Sequence, residues 1–108
     1  MGWTLLTWQA AGIDTTKLVS RPGTKMIMYR TTFMLRFKDD IADSSKQAFF
    51  VEKRLRVLGV TTSGVFYVNS PDPGPSIEAY DALKQSLREH PSVRLLVEAY
   101  HSGAFIEQ

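Results

Sequence analysis

Five side chains of this 108-residue chain, spread over three predicted strands, are of types that bind small anionic or aromatic molecules. Residues two apart in a strand point to the same face of a sheet, so each strand can contribute to one common surface. Small-molecule sites usually combine an apolar wall with a few convergent polar groups, and arginine binds carboxylates or phosphates in bidentate fashion. The residues predicted to form such a ligand-binding set are Arg30, Arg36, Tyr67, Glu98 and Tyr100.

Apolar side chains are predicted to accompany these groups on the same sheet face. A face this rich in apolar groups is too apolar to be a simple solvent face, so we expect a second copy of the chain to cover it. The residues predicted to form that interface are Met26, Met28, Met34 and Leu96. A ligand cleft or a nucleic-acid platform would use the same face. Arg30 or Arg36 could also simply pair with Glu98 across the strands.

Residues suited to catalysis or metal binding are sparse. The chain has two histidines and no cysteine, and no His-x-x-x-His spacing occurs. His90 precedes a proline at the end of a predicted helix, which indicates a surface histidine. His101 and Glu98 could form an acid–base pair, but strand alternation places them on opposite faces. We therefore expect no catalytic residue, no metal and no cofactor.

The composition indicates one folded domain. Hydrophobic residues make up 44% of the chain and charged residues 22%, which is too apolar for a disordered segment. No apolar run approaches the roughly 18 residues of a membrane span, and the amino terminus lacks the basic region of a secretory signal. We expect a cytoplasmic protein without a membrane partner. Residues 1–25 are expected to form a strand and loop extension, and residues 26–108 the core.

Charge is distributed unevenly along the chain. Residues 17–58 contain ten Lys or Arg and four Asp or Glu, whereas residues 59–108 contain three and six. Such an asymmetry attracts a phosphate-bearing partner or lets two copies dock head to tail. Since no run of like charges exceeds two residues here, solvated surface charge is the simpler interpretation. Nucleic-acid binding is accordingly only the second alternative function.

Alternation and turn residues predict the strands that position these side chains. Met26–Lys38 alternates with period two and has a nearly continuous apolar face at its odd positions. Gly12–Lys25 is interpreted as a loop, because it contains the turn signal Arg-Pro-Gly. The predicted strands are Trp3–Gln9, Met26–Lys38, Val60–Asn69 and Val93–Tyr100.

Two amphipathic helices are predicted between the later strands. The first has capping-box spacing at Ser44 and Gln47 and ends at Gly59. Its apolar stripe consists of Ala48, Val51, Leu55 and Leu58 and is widened by Phe50. The second helix runs from Ser76 to His90, where a proline follows. Its inward-facing residues are Ile77, Tyr80, Leu83 and Leu87.

The predicted element order is ββαβαβ, which indicates an α+β sandwich with two helices on one sheet face and the other face open. Within it, Leu35–Phe50 resembles the strand-to-helix opening of the stress-responsive dimeric α+β-barrel family. His90-Pro91 is similar to that family's His-Pro after its second helix. Family members are ferredoxin-like domains that dimerise through their open faces, and some catalyse cofactor-free cyclisation. The resemblance implies a ferredoxin-like variant that forms a homodimer.

The chain departs from that family in two ways. The family has a β-hairpin between its helices, where only the single strand Val60–Asn69 is predicted here. Its cyclase members have a tyrosine three residues before the His of His-Pro and a catalytic histidine three residues after it. This chain has Leu87 and Val93 at those positions. We therefore expect a non-enzymatic, homo-oligomeric binding module for a small apolar or anionic ligand, with a cofactor-free enzyme as the first alternative.

Overall fold

The computed structural model describes residues 15–101, which form five strands and two helices. The strand predicted for Trp3–Gln9 lies outside the described residues. The elements in chain order are β1 (Leu18–Ser20), β2 (Ile27–Phe37), α1 (Asp43–Glu52), β3 (Arg56–Val60), β4 (Val65–Asn69), α2 (Ile77–Arg88) and β5 (Val93–Tyr100).

All five strands belong to one antiparallel sheet built around the long strand β2. Strand β2 pairs with β4 on one side and with β5 on the other, and β3 pairs with β4 at the far edge. The short strand β1 pairs with the first residues of β2. The fold class is therefore α+β, as predicted, and the arrangement is compatible with a ferredoxin-like class.

The loop predicted for Gly12–Lys25 is wrong at Leu18–Ser20, which form β1. Three residues are too few to produce a periodic sequence pattern, so this strand is identified only by its pairing with β2 in the structure. Val19 pairs with Met28 and is buried in the core. The short strand is thus held in place by the sheet and not by local propensity.

The single strand predicted for Val60–Asn69 is also wrong, because this region contributes to a β-hairpin. Strands β3 and β4 are joined by a tight turn at residues 61–64. The Thr61 hydroxyl accepts a hydrogen bond from the Val65 N–H at 3.0 Å, and Gly64 adopts a φ of +90°. Glycine takes this conformation without steric cost, so Gly64 closes the turn. The element order of the described residues is therefore ββαββαβ.

The additional strand exists because α1 ends at Glu52, six residues before the predicted end at Leu58. Arg54 adopts a φ of +55°, and the N–H of Leu55 donates to the carbonyl of Phe50 at 2.8 Å. These are features of a Schellman motif, in which a left-handed residue terminates a helix. Leu55 is buried, but it lies just before β3 and not on a helix stripe.

The predicted start of α1 is wrong, and of its predicted apolar stripe the helix buries Phe50 but not Val51. Ala42 and not Ser44 is the N-cap, and no side chain caps the helix. Val51 is 78% exposed, whereas Phe49 and Phe50 are buried. The two phenylalanines point inward because they contact Phe37 of the sheet. Tertiary aromatic packing thus selected a different helix face from the one that the aliphatic spacing indicated.

Strands β2 and β5 and helix α2 agree closely with the prediction. Helix α2 begins after Ser76, whose side chain accepts a hydrogen bond from the Ala79 N–H at 3.1 Å. Its predicted inward-facing residues are confirmed, since Tyr80 and Leu87 are fully buried and Ile77 and Leu83 pack against the core.

Both helices pack on the same face of the sheet. The rings of Phe33 and Tyr80 are stacked at 5.6 Å, which joins β2 to α2. The Phe37 ring meets Phe49 and Phe50 edge-on at 5.5 Å, which joins β2 to α1. Phe33 and Phe37 are four residues apart in one strand and share a face, so the opposite face carries neither helix.

The strict alternation predicted along β2 is interrupted. Met28 and Phe33 are both fully buried in the core, although they are an odd number of residues apart. The pairing of β2 with β5 shifts between these two residues, and such irregularities change which side chains face inward. A second shift near the end of β2 places Leu96 in the core. Met28 and Leu96, which were predicted to lie at an interface, are therefore placed in the core and not on the opposite face.

Candidate functional site

The sheet face opposite the helices, which we call the open face, has an apolar surface. Its centre is Met34, which pairs with Tyr67 on one side and Val97 on the other. The neighbouring row is Arg36, which pairs with Val65 and Leu95. Residues paired in an antiparallel sheet share a face, and Leu35 between these rows points into the core. The open face thus consists of Met34, Arg36, Val65, Tyr67, Leu95 and Val97.

Two residues of β5 make this surface unusually apolar. Leu95 is 52% exposed and Val97 is 37% exposed, and they lie two residues apart on one strand. Met34 is half-buried beside them, and Tyr67 is buried. The predicted interface residue Met26 is 37% exposed, but it lies before β2 and outside the strand pairing. Of the predicted interface residues, only Met34 lies within the sheet on the open face.

Arg36 is the cation of the open face. Within residues 15–101 its guanidinium makes no hydrogen bond or ion pair. The side chain is half-buried between the apolar partners Val65 and Leu95. A guanidinium in this setting offers donors in a fixed fork, which suits a carboxylate or a phosphate.

Arg30 has a structural contact away from this surface. Its Nε and one terminal nitrogen donate to the two Asp72 oxygens at 2.8 and 3.0 Å, and the other terminal nitrogen donates to the Leu18 carbonyl at 2.9 Å. Hydrogen bonds from Arg30 and from the Gly74 N–H hold the pKa of Asp72 well below its usual range. Arg30 thus fastens the proline-rich loop of residues 70–75 to β1 and β2.

Glu98 lies on the helix side of the sheet, so the prediction that it shares the open face is wrong. Its carboxylate accepts hydrogen bonds from Lys84 at 2.8 Å and from Arg21 at 3.2 Å, and its side chain is 13% exposed. The Tyr100 hydroxyl donates to the other Glu98 oxygen at 2.8 Å, which places Tyr100 on the helix side too. The register shift in β5 that buries Leu96 also turns these two residues toward α2.

The Glu98 carboxylate is stabilised in its ionised form. Burial alone would raise its pKa, but the hydrogen bonds and charges of Lys84, Tyr100 and Arg21 outweigh burial and lower it. The pKa of Asp81 is lowered as well, chiefly by its hydrogen bond from Arg21. A carboxylate held between two cations is a structural ion pair, because it is poorly suited to giving or taking a proton near neutral pH.

Sequence reasoning missed three members of this network, which are Arg21, Asp81 and Lys84. The spacing of Asp81 and Lys84 in the sequence could have predicted their ion pair, since residues three apart in a helix are neighbours. Arg21 gave no such signal, because its partner Glu98 is 77 positions away in the chain.

The ion pairs connect the basic and the acidic halves of the sequence. Lys17, Arg21 and Arg30 from the basic half of the chain contact acidic side chains of the other half. Those acidic partners are Asp72, Asp81 and Glu98. Part of the asymmetry is therefore neutralised within one chain.

The two histidines lie in structural settings. His90 Nδ1 accepts a hydrogen bond from the Ser92 N–H at 3.2 Å, and its ring meets the Phe49 ring edge-on at 4.7 Å. Its Nε2 lies 3.6 Å from a Glu52 oxygen. The His101 N–H donates to the Ile27 carbonyl at 2.8 Å, which extends the pairing of β5 with β2.

Of the five residues predicted to converge, the structure brings Arg36 and Tyr67 to the open face and Glu98 and Tyr100 to the helix side, with Arg30 bound to the proline-rich loop.

Among residues 15–101, no group of three or more His, Asp or Glu side chains is placed to hold a metal ion. Over the same part of the chain, no helix has the length and apolar character needed to cross a membrane. Comparisons with protein-family models, curated proteins and solved structures find no match for this chain.

Proposed function

We propose that this protein is a homodimeric binding module whose two copies pair through their open faces. The observation that supports this most directly is the exposed apolar pair Leu95 and Val97 beside the half-buried Met34. Each side chain gains from removal from water, at roughly 25 cal/mol per Å² of apolar surface. A second copy presents the same apolar surface and thus matches the first.

The β3–β4 hairpin also supports the proposal of a dimer, because it brings the element order closer to that of the dimeric α+β-barrel family. The described residues after β1 follow the order βαββαβ, with a hairpin between the two helices. The sequence-based order lacked this hairpin, which was one of the two departures from the dimeric α+β-barrel family. With that departure removed, we propose a ferredoxin-like domain that assembles in the manner of that family.

We further propose that the paired faces enclose a small organic anion beside Arg36 and Tyr67. Arg36 supplies charge-assisted hydrogen bonds, and Met34, which pairs with the buried Tyr67, supplies an adaptable apolar wall. The second open-face arginine comes from the partner copy. Two guanidiniums brought together by dimerisation repel each other unless an anion lies between them, so the ligand and the dimer stabilise each other.

Dimerisation is tested by placing a charge on the open face. We expect Val97→Asp to weaken self-association at least about 100-fold, because the interface would bury an unpaired carboxylate. Sedimentation velocity over a micromolar concentration series measures this change. Val51→Asp is the matched control, since Val51 is an equally small and more exposed residue on α1. A wild-type monomer throughout the series, or equal weakening in both variants, contradicts the proposal.

Ligand binding at the open face is tested by thermal shift with a panel of small carboxylates and phosphates. A compound that binds only the folded state raises its melting temperature, by an amount that grows with concentration. We expect Arg36→Gln to lower the shift that wild type shows, while sedimentation still shows a dimer. A shift that is the same in Arg36→Gln as in wild type for every compound would mean that the anion does not bind at the open face.

A further inference from the structure

A cleft of about 350 Å³ lies on the helix side of the sheet, away from the open face. Its walls are the end of α1, the middle of α2 and the proline-rich loop that leads into α2. Apolar surface comes from Leu83 of α2 and from Pro71 and Pro73 of the loop. Its size is within the range of small-molecule sites, and such sites need only a few polar groups to orient a ligand.

Four charged residues line the same cleft, and their ion pairs decide its electrostatic character. The acidic member Asp72 is neutralised by the two hydrogen bonds from Arg30 and by Lys17 at 3.7 Å. The acidic member Glu52 has Lys53 at 3.9 Å and the His90 ring at 3.6 Å. Arg54 makes no hydrogen bond or ion pair through its side chain within the described range. Arg54 is therefore the one charged residue of the lining that has no ion-pair partner in the described range.

The backbone of Arg54 supports a role for its side chain. Its φ of +55° is the left-handed conformation that terminates α1, a position where glycine is usual. A residue with a Cβ atom is strained there, and strained residues that persist in a fold are candidates for a functional role.

We propose that this cleft binds a small organic anion, namely a carboxylate or phosphate monoester attached to an apolar body, with Arg54 as the anion ligand. The apolar body rests on Leu83 and the two prolines, and the anionic group meets the Arg54 guanidinium at the rim. Because the cleft lies on the helix side, this site is independent of the open face and of dimerisation.

The experiment is a ¹H–¹⁵N NMR titration of the full chain with three probes that share one ring system. The probes are 1-naphthoate, 1-naphthyl phosphate and the neutral 1-naphthalenemethanol. We expect the two anions to shift the amide signals of Leu83, Ser86 and Arg54, and to bind about ten-fold more tightly than the neutral probe. The relative affinities of the two anions distinguish a carboxylate site from a phosphate site.

Arg54→Gly distinguishes an effect on anion binding from an effect on folding, because we expect it to weaken binding but to stabilise the fold. Glycine relieves the left-handed strain, so we expect a melting temperature higher by roughly 2–6 °C. The affinity for the naphthyl anions should nevertheless fall about ten-fold, to the level of the neutral probe. Arg94→Gln removes an equal charge from an exposed site on β5 and should leave that affinity unchanged.

Two outcomes would overturn the proposal. Signal changes confined to open-face residues such as Val97 would locate the anion in the other site. An Arg54→Gly variant that folds and binds the naphthyl anions as tightly as wild type would show that Arg54 is not the anion ligand. Either result can occur whether or not the protein dimerises, so it leaves the proposed function untouched.

Discussion

Replacing Phe33 with alanine is expected to lower the free energy of unfolding by about 3–5 kcal/mol. Phe33 is fully buried in the middle of β2, and its ring stacks on Tyr80 at 5.6 Å. The substitution removes the ring contact that joins the central strand to α2 and leaves a cavity between them. A strand at the centre of the sheet cannot move inward to fill it without disturbing its pairing with both β4 and β5.

Chemical denaturation at neutral pH measures this loss, since the midpoint falls while the slope stays the same if the unfolded state is unaffected. Val60→Ala is the control, because Val60 is 57% exposed and also lies in a strand. We expect it to change the free energy of unfolding by less than about 0.5 kcal/mol. A Phe33→Ala midpoint within error of wild type would show that the sheet faces are assigned incorrectly.

Replacing Glu98 with glutamine is expected to cost about 2 kcal/mol at neutral pH. The neutral amide keeps the size of the side chain but removes the more buried of the two carboxylates that Arg21 and Lys84 share, so that only Asp81 remains as their common anionic partner. Lys84 has the larger share of this cost, because its side chain is the more buried of the two. Urea denaturation of both proteins at neutral pH measures the difference.

The same network predicts how stability depends on pH. Glu98 has a folded-state pKa below its ordinary value of 4.5, and the pKa of Asp81 is lowered too. Their stabilisation is therefore fully present above the unfolded-state pKa values and is lost as the pH falls through the folded-state values. The free energy of unfolding should decline from about pH 5 downward.

Glu98→Gln should make that decline shallower but not remove it, because Asp72 and Asp81 still titrate. Glu78→Gln is the control, since Glu78 is an exposed carboxylate of α2 without an ion pair in the described part of the chain. It should leave the pH profile of stability unchanged. A Glu98→Gln profile that coincides with wild type at every pH would contradict the role assigned to this carboxylate.

Local patterns were sufficient to predict several parts of this structure. The period-two pattern of β2 and the helical spacing of Tyr80, Leu83 and Leu87 identified the central strand and α2. Both elements combine strong periodicity with a clear boundary, such as Ser76 as the N-cap of α2. Periodic burial is a property of the segment itself, so the α+β class could be inferred from it.

Local sequence patterns do not decide whether the residues after Glu52 continue α1 or form strand β3 of the hairpin. The aliphatic spacing from Ala48 to Leu58 fits a helix, yet Arg54 ends α1 and Leu55 leads into β3. Packing favours the observed end, since Phe49 and Phe50 contact Phe37 and Leu55, just after the helix, is buried in the same core. Burial of aromatic surface in the tertiary fold outweighs the weak preference for continuing a helix.

The sequence by itself determined the fold class, the central strand, the second helix and the presence of an apolar face with Met34, Arg36 and Tyr67. Only the tertiary structure decided which of the other predicted residues share that face. The pairing of β2 with β5 shifts at two places, by an odd number of residues each time, and an odd shift turns the following side chains to the opposite side. Glu98 thereby meets Arg21, which is 77 positions away. Register and ion pairing between distant segments are properties of the assembled sheet, so no local pattern encodes them.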